Sequence, residues 1–226
     1  MNDIAQWSGQ VAPTQDQILL VRFLLDDSSS IKEGGNTGAV IEGYNGCLDT
    51  MMQAPGKVYV RTSFLNNTGA VEPFSSPKNA ERLTPRTYRP SGNTPLFRRS
   101  AEVLQSVLRN TKRLTQEGKT ARSMTIIFTD GGDSYNGGTA QDVKRIVDAM
   151  LATGDHIVGA CAVNDGYTNF WEVFMSMGIS ERWIKVLDNN HEAVSQTMVD
   201  LGTMASSATI NFSAADMEGF RSSLKQ

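Results

Sequence analysis

The residues that follow the first apolar run of the chain have the types and spacing of a metal site. Residues 18–25 are almost entirely Leu, Ile, Val and Phe, and residues 26–30 are two aspartates followed by three serines. Because side chains of an extended backbone alternate in direction, Asp26, Ser28 and Ser30 can point to the same side. This short stretch therefore offers a cluster of oxygen donors.

An apolar run of this kind is typical of a strand that is buried on both faces of a parallel sheet. In open α/β sheets, ligands bind beyond the carboxyl ends of the strands, where the strand order reverses, and Asp26 lies at such an end. Asp and Ser are also common turn and helix-cap residues. The stretch alone therefore leaves a functional and a purely structural interpretation open.

Two later segments supply further oxygen donors in equivalent positions. Thr94 stands before Pro95 at the start of a helical pattern, and an N-cap role for Thr94 would by itself explain this placement. Asp130 ends a second buried strand, over residues 124–129, and is followed by two glycines. Hydroxyls with two carboxylates, at Asp26 and Asp130, form the hard-oxygen set expected for Mg²⁺.

The order of apolar patterns predicts an α/β fold, namely a doubly wound, mostly parallel six-stranded sheet with one antiparallel edge strand. The turn at 66–69 predicts a hairpin whose second strand, Gly69 to Phe74, lies at the edge because Pro73 cannot donate a ladder hydrogen bond. The predicted strands are 18–25, 58–65, 69–74, 124–129, 157–163 and 183–187, and the predicted helices are 40–52, 96–114, 139–151, 170–177 and 193–205.

One domain is expected over residues 17–205, with a lead-in at 1–16 and a tail at 206–226. The 226 residues have a net charge of -3, which gives no basic field for nucleic acid. No run is long enough to span a membrane and the first residues do not resemble a signal peptide, so a cytoplasmic protein that binds neither nucleic acid nor membrane is expected.

Cysteine and histidine chemistry is poorly supported. Cys47 and Cys161 are far apart and form no CxxC pair, so they are expected to be reduced, buried thiols. His156 and His191 are isolated from each other and from the cysteines. A zinc site and a Ser-His or Cys-His hydrolase are therefore not expected.

Three motifs in this order resemble the von Willebrand factor type A domain with its metal-ion-dependent adhesion site. The resemblance covers roughly residues 17–205, and the motifs are Asp26-x-Ser28-x-Ser30, Gly92-Asn93-Thr94-Pro95-Leu96 and Thr129-Asp130-Gly131. It implies that Ser28, Ser30 and Thr94 are direct ligands of a divalent ion. Asp26 and Asp130 would then hold the ion largely through water. Mg²⁺ is the expected ion, with Mn²⁺ or Ca²⁺ as alternatives.

Two positions depart from the family pattern, and two aspartates have no place in it. Ser29 stands where glycine is usual, which makes the turn less permissive, and Ile31 stands where Met is common. Neither change removes a ligand. Asp27 and Asp133 are expected to act as cap or turn residues.

The resemblance implies a binding module whose metal takes a Glu or Asp carboxylate from a partner protein. Intracellular members of the family work beside AAA+ ATPases or in stress-response systems, and the sequence does not select among them. A Mg²⁺-dependent phosphatase-like or receiver-like domain is the alternative. Ser28 stands where such a phosphatase needs its second aspartate, and Lys185 lies within a strand instead of after it. No general base is evident, so no enzymatic activity is expected, and a scaffold with a non-functional metal site is the third possibility.

Overall fold

The computed structural model describes residues 17–67, 73–135 and 137–210, together with residues 212 and 219. Five parallel strands form one sheet with helices on both sides. The strands are β1 (Gln17–Leu25), β2 (Lys57–Phe64), β3 (Thr120–Thr129), β4 (His156–Val163) and β5 (Ile184–Leu187), and the helices are α1 (Ser29–Glu33), α2 (Thr37–Met51), α3 (Leu96–Gln116), α4 (Ala140–Leu151), α5 (Phe170–Ser176) and α6 (His191–Ala208). Short 3-10 turns lie at Pro77–Asn79 and Glu181–Trp183.

The strand order is β2-β1-β3-β4-β5, and every pairing between these strands is parallel. The chain moves outward from β1 to β2 and then crosses back over β1 to β3, so the order reverses between β1 and β3. The Asp26 N–H donates to the Phe128 carbonyl oxygen at 2.9 Å, which extends the pairing to the end of both strands. The crevice expected for a ligand therefore opens where Asp26 and Asp130 lie.

The predicted α/β class and the doubly wound, mostly parallel sheet are confirmed, but the predicted count of six strands is not. Five strands are present in the part of the chain that the structure describes. Most of the predicted antiparallel strand falls on residues 68–72, which lie outside the described residues. Just beyond it, Ser75 forms an isolated antiparallel bridge with Val60, with N···O distances of 2.8 and 3.0 Å.

Helix α2 packs closely on α6, and α3 packs on α4. Glycines permit the first contact: a Cβ atom on Gly43 would lie 2.8 Å from the Ser195 carbonyl oxygen, and one on Gly202 would lie 2.6 Å from that of Cys47. Crossover handedness places these helix pairs on opposite faces of the sheet. Strands β1, β3 and β4 are consequently buried along most of their lengths.

A short helix and a turn connect Ser30 to α2. Residues 29–33 form the single-turn helix α1, and Gly35, with φ of +75°, reverses the chain before α2 begins at Thr37. No described helix has the length and apolar character needed to cross a bilayer.

Candidate metal centre

Direct hydrogen bonds connect the 26–30 loop to the end of β3. The Ser30 hydroxyl donates to Asp130 Oδ1 at 2.6 Å, and the Ser28 and Ser30 hydroxyl oxygens are 2.9 Å apart. A Cβ atom on Gly131 would lie 3.5 Å from Thr94 Oγ1 and 3.8 Å from Ser30 Oγ, so both hydroxyls face this glycine. The donors proposed from three separate segments therefore converge at one edge of the sheet.

Asp26 is fully buried behind these hydroxyls. Its Oδ1 accepts the Ser28 N–H at 2.8 Å, and its Oδ2 accepts the Thr129 hydroxyl at 2.5 Å. Burial raises the pKa of Asp26, whereas the hydrogen bonds from Ser28 and Thr129 act in the opposite direction. Each oxygen has a donor that fixes its direction, and each keeps lone pairs for a further ligand.

Burial also raises the pKa of Asp130, to about 6. The hydrogen bond from Ser30 lowers this pKa, and the neighbouring charges of Asp26 and Asp165 raise it. Two buried carboxylates that disfavour each other's charge are stabilised by a cation placed between them. No three Asp, Glu, His or Cys side chains converge among the described residues, so a metal here would need the hydroxyls as ligands. Two carboxylates and three hydroxyls fit a hard divalent ion.

Thr94 is not the N-cap of α3, contrary to the structural alternative drawn from the sequence. The helix begins at Leu96 with Pro95 at the N-cap position, and the Thr94 side chain makes no capping bond. Ser134 holds the backbone of Thr94 instead, through bonds of 2.8 and 3.0 Å. Within the described chain the Thr94 hydroxyl has no hydrogen-bond partner, and it remains available to a ligand.

The two unassigned aspartates have structural roles, a helix cap for Asp133 as expected and, for the buried Asp27, a contact with a distant segment instead of a cap or turn. Asp133 Oδ1 accepts the Phe97 N–H at 3.0 Å and thereby caps the start of α3. Asp27 accepts the backbone N–H groups of Asn66 at 2.7 Å and Asn67 at 3.0 Å. Both carboxylates are engaged in hydrogen bonds with backbone N–H groups.

Ser29 connects the 26–30 loop to the loop of Thr94. Its hydroxyl accepts the Gly92 N–H at 3.1 Å, and its own N–H donates to the Gly92 carbonyl oxygen at 3.1 Å. No described residue other than glycine has a positive φ, so Ser29 adopts an ordinary backbone conformation. The serine in place of the usual glycine therefore adds a contact between two loops of the site without strain.

Sequence reasoning missed Tyr88 and Asp165 and gave Thr129, although it lies in the third motif, no role of its own. Tyr88 donates its hydroxyl to the Asp26 carbonyl oxygen, and Thr129 orients the Asp26 carboxylate. Asp165, in the loop after β4, raises the pKa of Asp130 and accepts the Thr168 N–H at 2.7 Å. The Asn-Asp-Gly sequence that begins at Asn164, directly after a predicted strand, is a signal that could have located Asp165.

No protein-family model and no curated protein sequence matches this chain. Solved structures share its fold. Proximal thread matrix protein 1 from the mussel byssus is 15% identical with a TM-score of 0.53, over 87% of this chain and 48% of that one. A second structure of the mussel protein has a zinc-occupied MIDAS motif, at 14% identity and a TM-score of 0.53 over 86% of this chain and 47% of that one.

Two further structures extend the likeness. A von Willebrand factor type A protein from Catenulispora acidiphila is 13% identical with a TM-score of 0.55, over 85% of this chain and 43% of that one. The SpRpn10 VWA domain is 9% identical with a TM-score of 0.55, over 80% of this chain and 94% of that domain. This chain spans slightly less than half the length of the mussel and Catenulispora proteins. The resemblance to von Willebrand factor type A domains is confirmed as a shared fold.

Proposed function

We propose that this chain is a divalent-metal-dependent protein-interaction module whose metal takes a carboxylate from a partner protein. The convergence of Ser28, Ser30 and Thr94 with Asp130 at the β1–β3 crevice is the observation that supports it. Ser30 donates its proton to Asp130 and accepts the Ser28 hydroxyl proton, which leaves one lone pair of its oxygen for a metal. Two neighbours of similar fold, the zinc-bound mussel protein and the SpRpn10 VWA domain, are in keeping with this role.

In this proposal the direct ligands are Ser28, Ser30 and Thr94. Asp26 and Asp130 hold the ion largely through water and neutralise part of its charge. Mg²⁺ is the proposed ion, because all of these donors are hard oxygens and carboxylates supply only two of them; Mn²⁺ and Ca²⁺ are alternatives. The bound ion would supply positive charge at the surface of the crevice. An anionic oxygen from a partner Glu or Asp complements that charge.

We further infer that the site binds and does not catalyse. His156 lies at the amino end of β4, away from the site, and contacts Ser123 at 2.7 Å. His191 contacts Glu42 on the surface, and Lys185 donates to Thr197. The described histidines and Lys185 are therefore engaged away from the site and do not offer it a general base.

The test has a metal arm and a partner arm. Calorimetric titration with Mg²⁺ and Mn²⁺ should show one site in the wild type and at least about a tenfold weaker site in Asp26→Ala. Asp148→Ala is the matched control, since Asp148 is a surface acid on α4 paired with Lys144.

A partner recovered with the chain should be released by chelator and by Asp26→Ala, and replacing its contacting acid should have the same effect. Binding that survives both chelator and Asp26→Ala would contradict the proposal. A hydrolase activity abolished by Asp26→Ala would contradict it as well.

A further inference from the structure

Two arginines beside the metal centre have no ion-pair partner among the described residues. Arg86 and Arg89 are both exposed. Arg82, in the same segment, is by contrast paired with Asp49. Arg86 and Arg89 therefore present positive charge that no ion pair of the described chain compensates.

Both arginines border a cavity of about 310 Å³ that adjoins the site, which we call the arginine cavity. Asp27 and Tyr88 form part of its wall. Asp27 is the neighbour of Asp26 in the chain, and the Tyr88 hydroxyl donates to the Asp26 carbonyl oxygen. The arginine cavity therefore borders the loop that carries the first proposed ligands, although the ligands themselves do not line it.

The loop that presents the arginines is held in one conformation. Thr84 Oγ1 accepts the Arg86 N–H at 3.2 Å, and the Thr84 carbonyl oxygen accepts the Tyr88 N–H at 2.9 Å. Tyr88 is buried, with its hydroxyl fixed on the 26–30 loop. Little backbone entropy would be lost on binding, because the loop is already ordered.

Asp27 offsets only part of the positive charge of the arginine cavity. Its two carboxylate oxygens accept the backbone N–H groups of Asn66 and Asn67, just after β2, and the carboxylate keeps its negative charge. Arg86 and Arg89 supply two positive charges against this one, so the wall keeps a net positive charge. A planar guanidinium binds carboxylates through paired N–H donors, so acidic side chains complement this cavity.

We propose that Arg86 and Arg89 are a second anchor for the partner, which would present an acidic segment with at least two carboxylates. One carboxylate binds at the metal, and another from the same segment enters the arginine cavity. This inference rests on the proposed function. It narrows the partner to an acidic peptide segment instead of a single isolated Glu or Asp.

The experiment uses two blocked, fluorescent peptides and measures their binding by anisotropy in Mg²⁺. One peptide is hexaglutamate, and the other is a hexamer with one Glu among five Gln. The double variant R86Q/R89Q should bind hexaglutamate about three- to tenfold more weakly than the wild type does, the range expected for losing two solvent-exposed pairs. It should bind the single-Glu peptide and Mg²⁺ as the wild type does.

R109Q/K112Q is the charge-matched control, because Arg109 and Lys112 are exposed on α3 and do not border the arginine cavity. Equal binding of hexaglutamate by R86Q/R89Q and wild type would overturn the inference. So would an equal loss in R109Q/K112Q, or a wild type that does not bind hexaglutamate at millimolar concentration. Hexaglutamate binding that survives chelator but is lost in R86Q/R89Q would support the arginine anchor while contradicting the metal-dependent function.

Discussion

Two buried charges, Arg22 within strand β1 and Asp26 directly after it, are surrounded by the fold in opposite ways. Both carboxylate oxygens of Asp26 accept a hydrogen bond, one from Ser28 and one from Thr129. Arg22 is only 3% exposed and donates from Nη2 to the Ser63 hydroxyl at 2.6 Å. Its Nε and Nη1 are buried with no hydrogen-bond partner within the described chain.

The structure stabilises the charge of Asp26 by hydrogen bonds, whereas the charge of Arg22 is left largely uncompensated. Asp26 is oriented, lies near Asp130, and would be neutralised by a cation. Burial, together with the neighbouring charges of Arg61 and Arg99, lowers the pKa of Arg22 to about 9. A buried group with unpaired donors and like charges around it destabilises the folded state. Nothing in the proposed function uses Arg22.

The largest expected effect is on stability at Arg22. Arg22→Met keeps the length of the side chain and removes the buried charge, so it should raise the free energy of unfolding by about 2 kcal/mol, with or without Mg²⁺. Urea denaturation measures this change, and Arg109→Met, at an exposed position on α3, serves as the control with little expected effect. A clear loss of stability in Arg22→Met would show that the folded protein compensates the charge of Arg22.

At the proposed metal centre, Asp130→Asn should stabilise the metal-free protein by about 1 to 2 kcal/mol at pH 7. The pKa of Asp130 is raised to about 6 in the folded state, above the ordinary carboxyl value. Between pH 4 and pH 6, roughly, the folded state therefore binds more protons than the unfolded state, and stability falls as the pH rises. The advantage of the variant should consequently appear across this window and be absent at pH 4.

With Mg²⁺ at pH 7, wild type should become more stable than Asp130→Asn, because wild type gains stability by binding the ion and the variant gains less. Thermal melts of both proteins with Mg²⁺ and with chelator measure it. Taking the difference between the two proteins cancels the other titrating groups, such as His156. A variant that is less stable than wild type without metal would mean that Asp130 is favourably buried as an anion.

Local signals in the sequence were enough to locate β1, the acidic end at Asp26 and the strand before Asp130. These features depend on neighbouring residues and on strand periodicity, which the sequence displays directly. Contacts between distant segments were not predictable in this way. The Tyr88 hydroxyl reaches Asp26 from 62 residues away, and Arg22 contacts Ser63 from 41 residues away. The cap of α3 could not be assigned for the same reason, because it comes from the distant Asp133 and not from Thr94.

The smallest effects are expected at Thr94 and Asp133. The Thr94 hydroxyl is free to bind a ligand, whereas the Asp133 carboxylate is engaged in a hydrogen bond of the fold. Asp133→Ala removes the acceptor of the Phe97 N–H and should cost about 1 kcal/mol of stability. It should change metal affinity little. Thr94→Ala removes no cap, so in the metal-free protein it should cost less than about 0.5 kcal/mol.

The effect of Thr94→Ala should appear in metal binding instead, as a Mg²⁺ affinity about tenfold lower than that of wild type. Thr94→Ser should restore this affinity because serine keeps the hydroxyl. Urea denaturation and Mg²⁺ calorimetry on Asp133→Ala, Thr94→Ala and Thr94→Ser separate the two roles. Should Thr94→Ala lose as much stability as Asp133→Ala and bind Mg²⁺ like wild type, Thr94 would be a structural residue. The proposed metal centre would then lack the ligand that its third segment contributes.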